Sequence, residues 1–201
     1  MAKHVEFWFD LGSPAAYLAW KRLPKFARQT GATIVHKPML LGGVFKATGN
    51  ASPVTVPAKG KWVLADLARV ARRDGVPLGY PPGFPINTLA LMRAAIGLQQ
   101  RQPERFAPYV EAMFGAIFGN PKDVRDEKVI GAVLAAAGFD PAGIMALAAD
   151  PEIKQALIRS TEEAVARGVF GAPTFFVGEE MYWGQDRMDA VAEALAGQVG
   201  E

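Results

Sequence analysis

The 201-residue chain contains no cysteine. This absence excludes disulfide bonds, zinc–thiolate sites and dithiol redox chemistry carried out by the protein itself. Only two histidines are present, His4 and His36, and we interpret both as polar residues at strand ends. Most metal centres need more ligands than these residues supply. We therefore expect no metal site.

The sequence also lacks a long apolar run and a strong excess of one charge. No apolar stretch approaches the roughly 18 residues that span a bilayer, and the chain start has no apolar core of a signal peptide. The net charge is only +2, with basic residues scattered, which argues against nucleic-acid binding. These features predict a cytoplasmic protein with no membrane or nucleic-acid partner.

Hydrophobic periodicity and turn residues predict two β/α segments on either side of a helical block. The first segment has the order strand, helix, strand, and the second has the order helix, strand, strand, helix. Residues 44–60, rich in Gly, Pro, Ser and Thr, are predicted to form a long surface loop with a short helical start. The pattern predicts an α/β protein with a thioredoxin-like fold. Its halves are residues 1–43 and 151–201, with a helical insertion domain at 44–150.

Ser13 follows the first predicted strand and a tight turn, at the start of a predicted helix. Pro14 favours the first helical position, and open α/β sheets bind ligands at this end of their strands. A helix start favours negative charge, so the Ser13 hydroxyl can stabilise a bound thiolate. The alternative is that Ser13 is only an N-cap. A nucleophilic serine is disfavoured because no suitably placed base or Gly-x-Ser-x-Gly motif is apparent.

Two distant segments add to this pattern. Pro173 precedes a predicted strand; a cis bond there exposes the Ala172 backbone to an extended peptide, whereas a trans bond begins an ordinary edge strand. Trp183–Arg187 joins the last strand to the last helix. Backbone N–H groups and Gln185 there can bind a carboxylate. Asp186 can pair with an ammonium group, cap the helix, or do both.

A strand, a turn, a polar residue at a helix start and a distant X-Pro-Thr together resemble a thioredoxin-like thiol site. In this chain the Cys-x-x-Cys position holds Ser13–Ala16. A thiol site without its own sulfur predicts that the sulfur arrives with a bound molecule, and glutathione is the leading candidate.

Five stretches in the same order resemble the 2-hydroxychromene-2-carboxylate isomerase family and the related kappa-class glutathione transferases. They are Phe9–Leu18, Leu41–Asn50, Lys61–Trp62 with Asp66–Leu67 and Arg69, Phe84–Thr88, and Gly168–Val177 continuing to Trp183–Arg187. The sequence departs from the family at Ala15, where an aromatic residue is frequent, and at Trp62, where tyrosine is common. It departs from the kappa transferases at Gln185, where serine is frequent.

The resemblance implies a cytoplasmic homodimer that binds glutathione and acts in aromatic catabolism, in bacterial naphthalene degradation. The implied reaction interconverts 2-hydroxychromene-2-carboxylate and trans-o-hydroxybenzylidenepyruvate by reversible addition of a thiolate. Two alternatives remain open: a kappa-like transferase acting on other electrophiles, and a non-catalytic module that binds glutathione or a peptide.

The resemblance also implies residue roles, with Ser13 catalytic and facing the glutathione sulfur. The implied glutathione-binding residues are Ser13, Ala172, Pro173, Trp183, Gly184, Gln185 and Asp186. The implied substrate-binding residues are Lys46, Asn50, Lys61, Trp62 and Asn87.

Overall fold

The computed structural model describes residues 3–197, so the outermost parts of the predicted halves, 1–2 and 198–201, lie outside the described residues. The predicted fold class is confirmed: the protein has a thioredoxin-like α/β fold. The helices and strands in chain order are β1 (His4–Phe9), α1 (Pro14–Thr30), β2 (Thr33–Pro38), α2 (Leu41–Thr48), α3 (Pro57–Asp74), α4 (Leu89–Arg101), α5 (Pro103–Phe114), α6 (Glu127–Ala136), α7 (Pro141–Ala149), α8 (Pro151–Ala166), β3 (Thr174–Val177), β4 (Glu180–Trp183) and α9 (Met188–Gly197).

The four described strands form one sheet in the order β2-β1-β3-β4. β1 runs parallel to β2 and antiparallel to β3, and Phe7 lies opposite both His36 and Phe175. Phe7, Trp8 and Phe9 are completely buried, because both faces of an inner strand are covered in such a sheet. The first strand is therefore an inner strand of the sheet, and its C-terminal end leads directly to Ser13.

The start of α1 follows from three local features. Ser13 is the N-cap and its hydroxyl accepts a hydrogen bond from the Ala16 N–H. Pro14 occupies the first turn, where its missing N–H costs nothing. The helix ends at Gly31, whose φ of 69° is a left-handed conformation that glycine adopts without strain.

The block between β2 and α8 is more helical than its composition indicates. The prediction for 44–60 is correct in its short helical start, since α2 continues to Thr48, and wrong at its end, since the loop contains a 3-10 turn at Pro53–Thr55 and α3 already begins at Pro57. Pro57 stands in the first turn of α3, where proline begins a helix rather than breaking one. The predicted domain boundary between residues 43 and 44 falls inside α2. The division into domains stays a prediction.

The helical block packs directly on the sheet. The Phe9 ring of β1 lies 6.3 Å from that of Phe106 and 6.1 Å from that of Phe114, both on α5. Trp20 of α1 joins this cluster, with its ring 6.1 Å from Phe114. These residues belong to one continuous core, so the sheet and the block stabilise each other by burying the same apolar surface.

Among residues 3–197, no single helix has the length and apolarity needed to cross a bilayer. α6 and α7 have enough only when taken together, and they meet at a bend of 118°.

The interpretation of His36 as a polar residue at a strand end is wrong. His36 lies within β2, and its ring is 5.1 Å from that of Trp20, 5.4 Å from Phe106 and 6.3 Å from Phe7. Burial among these rings disfavours the charged imidazolium and lowers the pKa of His36 from 6.5 to about 4. The folded protein therefore holds this histidine neutral at physiological pH.

This burial predicts a specific acid sensitivity. The folded state binds the His36 proton more weakly than the unfolded state, so stability is complete above pH 6.5 and is lost as the pH falls from 6.5 towards about 4. The full loss is roughly 3 kcal/mol. Urea unfolding of the wild type and His36→Phe at pH 7.0, 6.0 and 5.0 measures the effect, with His4→Gln as the exposed control. Equal pH dependence in the wild type and His36→Phe would contradict it.

Candidate active site

Ser13 lies where the end of β1, the start of α1 and the loop before β3 meet. Its hydroxyl accepts from the Ala16 N–H at 3.1 Å and donates to the Ala172 carbonyl oxygen at 2.9 Å. The residue is only 4 % exposed, so both bonds are shielded from water and stronger for it. The N-cap interpretation is therefore correct, and Ser13 also contacts the distant proline loop.

The Ala172–Pro173 peptide bond is cis, which is the first of the two forms considered from the sequence. The carbonyl oxygen of Ala172 accepts from Ser13, and that of Pro173 accepts from the Gly184 N–H at 3.0 Å. Thr174 donates its hydroxyl to the Gly171 carbonyl oxygen at 2.9 Å. The loop is thus held on one side by α1 and on the other by the end of β4.

The segment after β4 is fixed in position by its backbone. Gly184 has φ 112° and ψ 150°, a conformation that residues with a Cβ rarely adopt. The Gln185 carbonyl oxygen accepts from the Arg22 guanidinium of α1 at 2.9 Å. Asp186 lies in a 3-10 turn ahead of α9 and accepts from Arg187 at 2.8 Å. In place of the predicted helix cap, Asp186 thus forms an ion pair with Arg187.

Trp183 forms an exposed apolar surface beside the proline loop. Its ring is 49 % exposed and lies 4.9 Å from the Phe170 ring. A Cβ at Gly171 would lie 2.5 Å from the Trp183 Nε1, so only glycine leaves room for the indole. Ser13, Ala172, Pro173, Gly184 and Gln185 are therefore joined by a chain of contacts, with Trp183 beside them.

The predicted substrate-binding residues are less closely connected to Ser13. Asn50 reaches the proline loop, since its side-chain amide donates to the Phe170 carbonyl oxygen at 2.8 Å. Lys46 of α2, and Lys61 and Trp62 of α3, are exposed; neither lysine forms an ion pair with another residue in the described range 3–197. Asn87 is exposed and accepts from the Leu89 N–H at 2.9 Å, at the start of α4.

Two clefts, of about 480 and 390 Å³, open on the helical block. Neither is lined by Ser13, and Asn87 is the one predicted site residue that lines either of them. Over residues 3–197, no group of three acidic, histidine or cysteine side chains is placed to hold a metal ion.

Sequence reasoning missed two charged residues that shape this site. Asp10, three positions before Ser13, is only 1 % exposed and accepts hydrogen bonds from Gly12, Leu41 and Thr88. Burial raises the pKa of the Asp10 carboxyl, while these donors act to lower it. The second residue is Arg22, in the middle of α1, for which the sequence offers no comparable signal. An acidic residue at the end of an apolar strand, two positions before a glycine, was the available signal for Asp10.

Comparison with known proteins agrees with this geometry. Residues 4–196 match the DSBA-like thioredoxin domain family. The chain is 32 % identical over 197 residues to a 2-hydroxychromene-2-carboxylate isomerase of Sphingobium xenophagum, covering 97 % of this chain and 99 % of the relative. It is 28 % identical over 203 residues to glutathione S-transferase kappa 1 of Caenorhabditis elegans, covering 95 % and 90 %.

A solved structure of a 2-hydroxychromene-2-carboxylate isomerase superimposes with a TM-score of 0.86 at 30 % identity, covering 98 % of this chain and 96 % of that one. The shared architecture extends over the helical block as well as the sheet. The chain therefore belongs to the DSBA-like thioredoxin domain family and, within it, to the family of the 2-hydroxychromene-2-carboxylate isomerases.

Proposed function

We propose that the protein is a glutathione-dependent isomerase that interconverts 2-hydroxychromene-2-carboxylate and trans-o-hydroxybenzylidenepyruvate. The single observation that carries the proposal is the Ser13 hydroxyl, placed at the start of α1 against the cis-proline loop in a chain without cysteine. The relatives named as isomerases and as a kappa glutathione transferase support the reaction and the thiol donor, respectively.

The donor set fits glutathione, which when bound supplies the thiol that this chain lacks. Ser13 and the N-terminus of α1 favour negative charge at the thiol end. Ala172 offers its N–H and carbonyl groups for pairing with an extended backbone, and Pro173, whose carbonyl oxygen accepts from Gly184, holds the loop that presents them. Gln185 and Asp186 offer complementary polar groups for the carboxylate and ammonium of the γ-glutamyl end. Trp183 supplies exposed apolar surface between the two ends.

The task of Ser13 is to hold a thiol in its ionised form. A free thiol has a pKa near 8.5 and is mostly protonated at pH 7. The start of a helix stabilises an anion by roughly 0.3–1 kcal/mol, and a charge-assisted hydrogen bond adds about 1.5–3 kcal/mol. Since about 1.4 kcal/mol corresponds to one pKa unit, these contributions favour the thiolate at neutral pH.

The hydroxyl of Ser13 has one proton, and in this structure it donates that proton to the Ala172 carbonyl oxygen. Donation to a thiolate therefore replaces the bond to Ala172. The bond from the Ala16 N–H to the Ser13 oxygen persists, because the oxygen stays in place and only the hydroxyl hydrogen rotates about the Cβ–Oγ bond. Ser13 thereby donates either to the Ala172 carbonyl oxygen or to a bound thiolate without moving the start of α1.

The substrate side is proposed to come from α2, α3 and the start of α4. Lys46 and Lys61 carry exposed positive charges suited to the substrate carboxylate, and Trp62, 61 % exposed, offers a ring face to an aromatic substrate. Asn50 and Asn87 offer amide groups to the phenol or hemiketal oxygen. We further propose that the protein acts as a cytoplasmic homodimer in aromatic catabolism.

A kappa-like glutathione transferase is the second candidate. The same Ser13 arrangement serves conjugation as well as isomerisation, and the similarity to the kappa transferase extends along 95 % of the chain. A non-catalytic module that binds glutathione or a peptide is the third.

A direct assay tests the proposal and separates it from its rivals. We expect the protein to interconvert the two aromatic acids, followed by their ultraviolet spectra, only when glutathione is present. Conjugation of glutathione to a chloronitrobenzene is expected to be slower. Isomerisation that is independent of glutathione contradicts the proposed cofactor, and conjugation without isomerisation favours the transferase.

Replacing Ser13 tests the thiolate role. Ser13→Ala should lower kcat by about 10- to 100-fold, the value of one charge-assisted hydrogen bond, and raise the pKa of bound glutathione, read from thiolate absorbance. Ser13→Asn keeps an N-cap and should restore stability but not turnover. Ser160→Ala removes a serine hydroxyl that donates to the Pro38 carbonyl oxygen and serves as the control. Full activity in Ser13→Ala would refute the role.

Replacing the two lysines tests the substrate side. If Lys46 or Lys61 binds the carboxylate, its replacement by alanine should raise KM for 2-hydroxychromene-2-carboxylate by about fivefold, as for an exposed ion pair. The chloronitrobenzene reaction, which involves no carboxylate on the electrophile, should not change. Lys59→Ala, exposed on the same helix, is the control. Unchanged KM in both variants would place the carboxylate elsewhere.

A further inference from the structure

Three separate segments of the chain converge on the carboxylate of Asp10. Its Oδ1 accepts from the Gly12 N–H and the Thr88 hydroxyl, each at 2.7 Å, and its Oδ2 accepts from the Leu41 N–H at 2.7 Å. Gly12 belongs to the turn before α1, Leu41 is the first residue of α2, and Thr88 is the N-cap of α4. One side chain therefore joins three segments that are distant in sequence.

The hydrogen-bond pattern fits an ionised carboxylate. Both oxygens accept, and the distances match the short range of charge-assisted bonds. A buried carboxylate without such partners would be very costly. The partial positive charge at the N-terminus of α2 also stabilises the Asp10 carboxylate. The N-cap of α2, Leu40, has no side-chain acceptor, and the Asp10 carboxylate accepts from the Leu41 N–H in its place.

The packing around this carboxylate leaves little freedom. A Cβ at Gly12 would lie 3.2 Å from Cγ2 of Thr88 and 3.3 Å from Oδ1 of Asp10. The Ser13 N–H donates to the Asp10 carbonyl oxygen at 3.1 Å. The main chain of Asp10 thus positions Ser13, while its side chain positions α2 and the start of α4.

We infer that Asp10 is a positioning residue that sets the distance between Ser13 and the substrate-binding side of the site. This inference rests on the proposed function. α2 carries Lys46, and Asn87 directly precedes Thr88, so the segments held by the carboxylate are those proposed to bind substrate. Asp10 acts through Gly12, Leu41 and Thr88, and it is assigned no contact with the reacting atoms.

A role in stability alone would need no charge at this position. Replacing a buried polar pair by apolar groups of similar shape is often nearly neutral for stability. A carboxylate with three directional hydrogen bonds constrains the geometry more than apolar packing does, because it fixes the orientation of each donor as well as its distance. Small displacements of a reacting group matter, since about 1 Å of misplacement can cost roughly 100-fold in rate.

The Thr88 hydroxyl provides a test that avoids removing the buried charge. Thr88→Val keeps the shape of the side chain and removes its bond to Asp10, and we expect kcat for the isomerisation to fall by about 10-fold. Glutathione affinity, measured by calorimetry, should stay within about twofold, because the glutathione side does not involve Thr88. Thr88→Ser keeps the hydroxyl and should restore kcat. Asp10→Asn should lower kcat further, by about 100-fold.

Asp140→Asn is the matched control, since Asp140 is an exposed carboxylate that caps α7 through Ala142 and Gly143. Wild-type kcat in Thr88→Val, or an equal loss of kcat in Thr88→Ser, overturns the inference while leaving the proposed function intact. A fall in kcat that only follows the folded fraction, measured by thermal unfolding, also overturns it. A wild type that neither binds glutathione nor turns over substrate overturns the proposed function and this inference together. If Asp10→Asn does not fold, the Thr88 pair decides.

Discussion

The hydrogen bond from Ser13 to Ala172 is the contact on which the site depends. It joins residues 159 positions apart in sequence, one at the start of α1 and the other beside the cis-proline bond. Its acceptor belongs to the backbone, so the contact depends on how the loop is folded rather than on which side chain stands at 172. In the same way, the Pro173 carbonyl oxygen accepts from the Gly184 N–H and so attaches the loop to the end of β4. The Gln185 carbonyl oxygen accepts from Arg22 and so attaches the segment after β4 to α1. A line of backbone acceptors thereby runs from Ser13 to the far end of the proposed glutathione site.

The helical block is attached to this line through a different kind of contact. Along the sheet the connections are mostly peptide groups, whereas the block is joined at Asp10 by a buried carboxylate and packed by aromatic rings such as Phe106 and Phe114. Aromatic packing supplies most of the free energy through apolar area. The carboxylate adds direction, because hydrogen bonds weaken steeply when they bend. Stability and geometry at this junction therefore have different sources, and they respond to different substitutions.

The parts of the fold that local chemistry determines were predictable from the sequence. Ser13 with Pro14, and Asp150 with Pro151, carry their helix-start signals within a few residues, and the strands flanking them are apolar. The end of the stretch at 44–60 was misjudged because Pro57 can end a loop or begin a helix, and only its packing decides which. The roles of Asp10, Arg22 and His36 were not predictable, because each depends on a partner distant in sequence: Thr88, Gln185 and Phe106, respectively. In the site, the motif pattern led to Ser13 and the proline loop, while the contacts that position them arise only on folding.

Gly171 leaves a space that the Trp183 indole occupies, and this places a natural fluorophore at the edge of the proposed glutathione site. Trp8 is fully buried and Trp20 nearly so, so their emission reports on the interior. Trp183 is half in contact with water, and a peptide lying along the proline loop would cover it. Its emission should shift to shorter wavelength and resist quenching by iodide as the site fills. The protein thus carries an intrinsic fluorescent probe of occupancy, which needs no label, and the exposed Trp62 on α3 offers a second one on the proposed substrate side.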